Sequence, residues 1–135
     1  MPDAFGSIVI ADDDPLTRSA YKAALQRAGY TVYVAQDGEE ATHLVERGGV
    51  SLLILDILMP RKEGLETLLE MKNRFPALKI IAISAGGRRS DMDFLSIATK
   101  FGADGILRKP FSPKALLVLM TELVPENRAC VAQTK

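Results

Sequence analysis

Apolar residues fall along this chain in short continuous runs separated by helix-spaced stretches, with little strict alternation. Ser7 to Ala11 (SIVIA), Thr31 to Ala35 (TVYVA), Leu52 to Leu55 and Lys79 to Ser84 (KIIAIS) are runs of this kind, and Gly105 to Leu107 is a shorter one. A brief apolar, β-branched run bounded by turn residues marks a strand covered on both faces, as in a parallel sheet. Between the runs the period changes. Asp14 stands at an N-cap position before Pro15, and Leu16, Ala20, Ala23, Ala24 and Ala28 follow at helical spacing up to Gly29. Asp37-Gly38 turns the chain into a helix from about Glu39 to Arg47, closed by Gly48-Gly49. A helix from about Leu65 to Arg74 is broken by Phe75-Pro76. One from about Asp91 to Phe101 carries Phe94, Leu95, Ala98 and Phe101 as its stripe, and a last one, Pro113 to Val124, carries Leu116, Leu117, Met120 and Leu123.

Five strands alternating with five helices through short connections predict an α/β fold: a doubly wound, five-stranded parallel sheet with right-handed crossovers, flavodoxin-like, in the order 2-1-3-4-5. The expected domain is 1–125, with its core at about 7–124. Residues 1–6 read as a frayed start and 126–135 as a polar, disordered tail. No repeat or second domain is expected.

In such a sheet the residues just beyond each strand gather at one edge. Asp12 and Asp13 follow strand one, Asp56 follows strand three, Ser84 ends strand four and Lys109 follows strand five. Strands one and three are neighbours at the topological switch point, where ligands bind, so their carboxylates face one another across a crevice. Clustered carboxylates repel unless a cation lies between them, and a hard, oxygen-preferring divalent ion, Mg²⁺, is the economical answer. Asp56 is then placed as a nucleophile toward a phosphoryl group, a reaction in which a carboxylate needs no general base. Lys109 supplies a point charge for one phosphoryl oxygen and the Ser84 hydroxyl a hydrogen bond for another. Met59-Pro60 stops the strand beyond Asp56, and Gly64 provides a tight turn into the next helix. Singly each residue has an ordinary reading: caps for Asp12 to Asp14, a turn for Ser84, a solvated charge for Lys109.

Composition narrows the classes. In 135 residues there are 17 basic and 17 acidic side chains, so no polyanion-binding surplus exists and no nucleic-acid partner is expected. No apolar stretch is long enough for a bilayer span and no basic-then-apolar leader opens the chain, so a cytoplasmic protein without membrane contact is expected. Cys130 is the sole cysteine and fits a reducing compartment. His43, the sole histidine, falls within the second helix and reads as an ordinary helix position.

The constellation resembles the receiver domain of two-component response regulators over about Ser7 to Val124. The matching pieces are Asp12-Asp13-Asp14-Pro15, Asp56-Ile57-Leu58-Met59-Pro60 with Gly64, Ser84-Ala85, and Lys109-Pro110-Phe111. The resemblance implies aspartyl phosphorylation of Asp56 by a histidine kinase or histidine phosphotransfer protein. It implies Asp13, Asp56 and the Leu58 backbone carbonyl as Mg²⁺ ligands, with Asp12 acting through water, and Ser84 and Lys109 reading the phosphoryl group. It further implies a switch that alters a partner surface of helix four, strand five and helix five. A downstream protein target would bind that surface, and the chain is expected to be a monomer or weak homodimer that serves as a stand-alone regulator or a phosphorelay intermediate.

Two departures from the family pattern stand out. Three residues before Lys109 the family usually carries Tyr or Phe, whereas this chain has Ile106, which cannot supply an aromatic readout. The loop Gly86-Gly87-Arg88-Arg89 is about three residues longer than is common, so Ile106 and this loop are expected to report phosphorylation by a modified route, such as loop closure. Leu58 and Gly86 leave no side chain beside the phosphoryl site to orient water, so hydrolysis is not expected to be unusually fast. Two other classes compete: a receiver-like module that binds partners without phosphorylation, and a haloacid-dehalogenase-type phosphatase using Asp12 and Asp14. Pro15-Leu16 and the absence of a cap domain fit the latter poorly.

Overall fold

The computed structural model describes residues 6–57, 64–85 and 96–124. In chain order these form β1 (Ser7–Ala11), α1 (Pro15–Arg27), β2 (Val32–Ala35), α2 (Gly38–Glu46), β3 (Val50–Asp56), α3 (Gly64–Arg74) and β4 (Lys79–Ala85). The described part of α4 (residues 96–100), β5 (Gly105–Lys109) and α5 (Pro113–Leu123) follow. The five strands are all parallel in the order β2-β1-β3-β4-β5. The doubly wound architecture expected from the alternating runs is therefore the one adopted.

Side-chain alternation along the strands splits the core in two. Ile8, Ile10, Leu52, Ile54, Ile81 and Ile83 point to one face and pack with Leu25 of α1 and Leu116 and Met120 of α5. Val9, Ala11, Leu53, Leu55, Ile80 and Ala82 point to the other, against α2, α3 and Ala98 of α4. Each of the large side chains on these faces is fully buried, a contribution of roughly 1.5–3 kcal/mol apiece. The pleat also sets the site. Asp12 continues the parity of Ile8 and Ile10, and Asp56 that of Leu52 and Ile54, so both carboxylates emerge on the α1/α5 side. Because Ala11 pairs with Leu55, the two acids leave adjacent strands side by side.

Two local expectations are corrected, and Gly64 gains a role that the sequence did not show. The expected α1 stripe of Leu16, Ala20, Ala23, Ala24 and Ala28 is not the core face: Leu16 is 79% exposed, whereas Leu25 is fully buried and Tyr21 packs beside it. Alanine buries too little surface to set a helix's rotation, and the (i, i+4) pair Tyr21 and Leu25 does so instead. The last strand does not end at Leu107 but runs through Arg108 and Lys109, paired with Ser84 and Ala85. Gly64 also serves a close approach, while the turn that leads into it lies outside the described residues. A Cβ there would overlap Ile57 Cα and lie 2.7 Å from the Asp56 carbonyl oxygen, so α3 starts directly against the end of β3.

Candidate functional site

The β1–α1 turn is built by its own acids. The Asp12 N–H donates to the Ala35 carbonyl (3.0 Å), and the Asp12 carboxylate accepts the Asp14 N–H (2.9 Å). Asp14 then caps α1: Oδ1 accepts from Leu16 N–H (3.2 Å) and Oδ2 from the Thr17 hydroxyl (2.7 Å). The Thr17 hydrogen bond holds the Asp14 carboxyl below its ordinary pKa. Asp14 is thus committed to the helix, while Asp12 and the exposed Asp13 are left at the sheet edge.

Asp56, at the end of β3, joins those two. One carboxylate oxygen from each of Asp12, Asp13 and Asp56 lies within 4.8 Å of the others. Asp12 is fully buried and Asp56 is 5% exposed, so neither charge is well solvated. Lys109 enters from β5, its Nζ donating to Asp12 Oδ2 (2.6 Å) and Asp56 Oδ2 (3.3 Å). Burial alone would lower the ammonium's pKa. The hydrogen bond to Asp12 and the charge of Asp56 outweigh it, holding Lys109 above the ordinary lysine value. Among the described residues, three carboxylates meet one ammonium directly, with the Arg18 guanidinium on the Asp12 carbonyl, which leaves net negative charge that a further cation can neutralise. The donors are all oxygen, and the exposed Asp13 leaves an approach from water, which suits a hard divalent ion.

Ser84 lies next along the edge. Asp56 pairs with Ile83, so Ser84 sits one strand over and one residue further along, fully buried, on the opposite pleat face from Asp12 and Asp56. Leu58 and the Gly86 to Arg89 loop lie outside the described residues. Ile106 is 41% exposed on β5. His43 is exposed on α2, 3.6 Å from Glu46. A groove of about 840 Å³ lined by Val45, Phe75, Leu78, Lys79 and Val124 lies at the opposite edge of the sheet, remote from the clustered acids.

The sequence profile of the response regulator receiver domain matches residues 8–121. The chain belongs to the response regulator receiver domain family. Among curated relatives, the response regulator MprA of Mycobacterium sp. (strain KMS) is 33% identical over 117 residues, covering 87% of this chain and 50% of MprA. The transcriptional regulatory protein CpxR of Klebsiella pneumoniae is 37% identical over 110 residues, covering 82% of this chain and 45% of CpxR. The chain thus spans about half the length of the curated relatives it matches. A CheY-like receiver domain protein from Methanospirillum hungatei JF-1 superposes with a TM-score of 0.80 at 28% identity, covering 93% of this chain and 99% of that one. Vibrio cholerae CheY4 gives 0.79 at 26% identity, covering 90% and 100%. Receiver domains are signalling domains, and no described helix here is long and apolar enough to cross a membrane.

Two contacts made by α1 were not singled out from the sequence. Arg18 Nη1 donates to the Asp12 carbonyl (2.6 Å), and the Tyr21 hydroxyl donates to the Phe111 carbonyl (2.9 Å). The Tyr21 and Phe111 rings also stack, with centroids 4.6 Å apart and planes at 16°. The (i, i+3) spacing of Arg18 and Tyr21 is visible in the sequence, but their partners are not.

Proposed function

We propose that this receiver is a phosphorylation switch whose acceptor is Asp56, loaded in a Mg²⁺-dependent reaction by a histidine kinase or histidine phosphotransfer protein. The observation that carries the reading is the convergence of Asp12, Asp13 and Asp56 with Lys109 at one sheet edge. An Asp56 carboxylate oxygen attacks phosphorus and forms the new O–P bond as the P–N bond to the donor imidazole breaks. With acetyl phosphate the departing group is acetate. Asp13, Asp56 and the Leu58 carbonyl would hold Mg²⁺ directly and Asp12 through water. The bound ion would neutralise charge on the transferring oxygens. Lys109 takes a second share of that charge, and the Ser84 hydroxyl accepts a place beside a phosphoryl oxygen as a hydrogen-bond donor.

The output surface is α4, β5 and α5, where Ile106 and Val118 leave apolar side chains exposed to a protein partner. The folded unit at about 7–124 works in the cytoplasm through protein contacts, with neither nucleic acid nor membrane as its ligand. A haloacid-dehalogenase-type reaction needs Asp12 and Asp14 to act together. Asp14 is instead engaged with Leu16 and Thr17, which disfavours that reading.

The test is intact mass after incubation with acetyl phosphate and Mg²⁺. One phosphoryl adduct on the wild type, absent in Asp56→Asn and absent when the metal is chelated, is expected. An unmodified but folded wild type would favour a module that binds partners without phosphorylation.

A further inference from the structure

Lys109 must span from β5 to β1, three strands across the sheet, to touch Asp12. It is the last residue of β5, and the loop that follows it is gripped by α1. Tyr21 donates to the carbonyl of Phe111, two residues beyond Lys109, and stacks on the Phe111 ring. One helical turn away on the same face, Arg18 donates to the carbonyl of Asp12, the residue whose carboxylate Lys109 meets. Both partners are main-chain oxygens, so each bond fixes a loop's path and not merely a rotamer. The two ends of the Lys109–Asp12 contact are therefore referenced to one rigid element.

From this geometry we infer that Arg18 and Tyr21 form a two-point clamp that positions Lys109 on the acid cluster, with Tyr21 as its decisive member. The inference rests on the proposed phosphoryl chemistry for its consequence but not for its geometry. With the clamp intact, the ammonium occupies Asp12 Oδ2 and Asp56 Oδ2. Its charge there opposes the binding of a divalent cation by the same carboxylates, and it is preset to meet a phosphoryl group on Asp56. With the clamp loosened, Lys109 wanders. Cation binding then strengthens while phosphoryl transfer slows, because positioning of a charged group is what that step requires. A purely structural role gives a different pattern, in which binding and transfer weaken together with stability.

Tyr21→Phe keeps the ring stack and removes the donor, and Arg18→Met keeps the aliphatic stem and removes the guanidinium. Each is compared with wild type by Mg²⁺ titration, followed on backbone amide NMR signals without any phosphodonor. Each is then compared by the rate of phosphorylation from acetyl phosphate at saturating Mg²⁺. Tyr21→Phe is expected to bind Mg²⁺ more tightly and to react about fivefold more slowly, the factor carried by the net worth of one hydrogen bond. The double variant should fall well short of the product of the single effects, because both bonds fix one distance. Unchanged Mg²⁺ affinity and rate in Tyr21→Phe would overturn the clamp, as would weaker binding together with a lowered melting temperature. If the wild type itself takes no phosphoryl group, the proposed function fails, and the Mg²⁺ titration alone decides the clamp.

Discussion

Lys109 is the residue on which the site's electrostatics turn. It is the ammonium shared by two carboxylates that are both buried. Removing one partner of such a set leaves uncompensated charge, at a cost of several kcal/mol when fully buried and less here, where Lys109 keeps some water contact. Lys109→Met is therefore expected to lose about 2 kcal/mol of stability in metal-free buffer and to regain much of it on addition of Mg²⁺. The pH dependence has a definite sign. The fold raises the pKa of Lys109, so its contribution is fully present below the ordinary value of 10.5 and is lost as pH rises through the raised one. Urea unfolding of wild type and Lys109→Met should differ most at neutral pH and converge in strong alkali. A constant difference across that range would show that the ammonium is not what the acids hold.

At the scale of elements, the site depends on helices seated against strand ends. Gly64→Ala would push a Cβ into the backbone of Ile57 and Asp56, which cannot yield as a flexible side chain would. A loss of about 3 kcal/mol is expected from this overpacking. Phosphorylation of Asp56 should fall as well, because α3 would shift the acceptor; chemical denaturation and the mass assay check the two effects separately. How much of this was legible in the sequence differs by element. The strands were, because a run such as Leu52 to Leu55 has few other fates than burial on both faces. The rotation of α1 was not, because its alanines outnumber its large apolar residues without outweighing them. The extent of β5 was hidden because Arg108 and Lys109 look like loop residues, and only pairing with Ser84 and Ala85 extends the strand through them. The Tyr21–Phe111 contact joins residues 90 apart in the chain, a distance over which periodicity carries no information.

For the whole molecule, the acid cluster follows from strand order. Order β2-β1-β3-β4-β5 makes β1 and β3 neighbours, and their register sets Asp12 beside Asp56. On the proposed function, phosphorylation at that edge is read elsewhere. Among the described residues, Ile106 on β5 and Val118 on α5 are large apolar side chains exposed on the proposed output face. Ile106→Ala should leave the rate of Asp56 phosphorylation near that of wild type while weakening phosphorylation-dependent capture of a protein partner. Undiminished capture would remove Ile106 from the readout.

The most direct test of the central claim is to locate the phosphoryl group. The acetyl phosphate-treated protein is reduced with borohydride, which converts an aspartyl phosphate to homoserine, and its peptides are sequenced by mass spectrometry. Homoserine at position 56 and nowhere else is the predicted result. Homoserine at 12, 13 or 14, or none in a folded protein, would contradict the assignment of Asp56 as the acceptor.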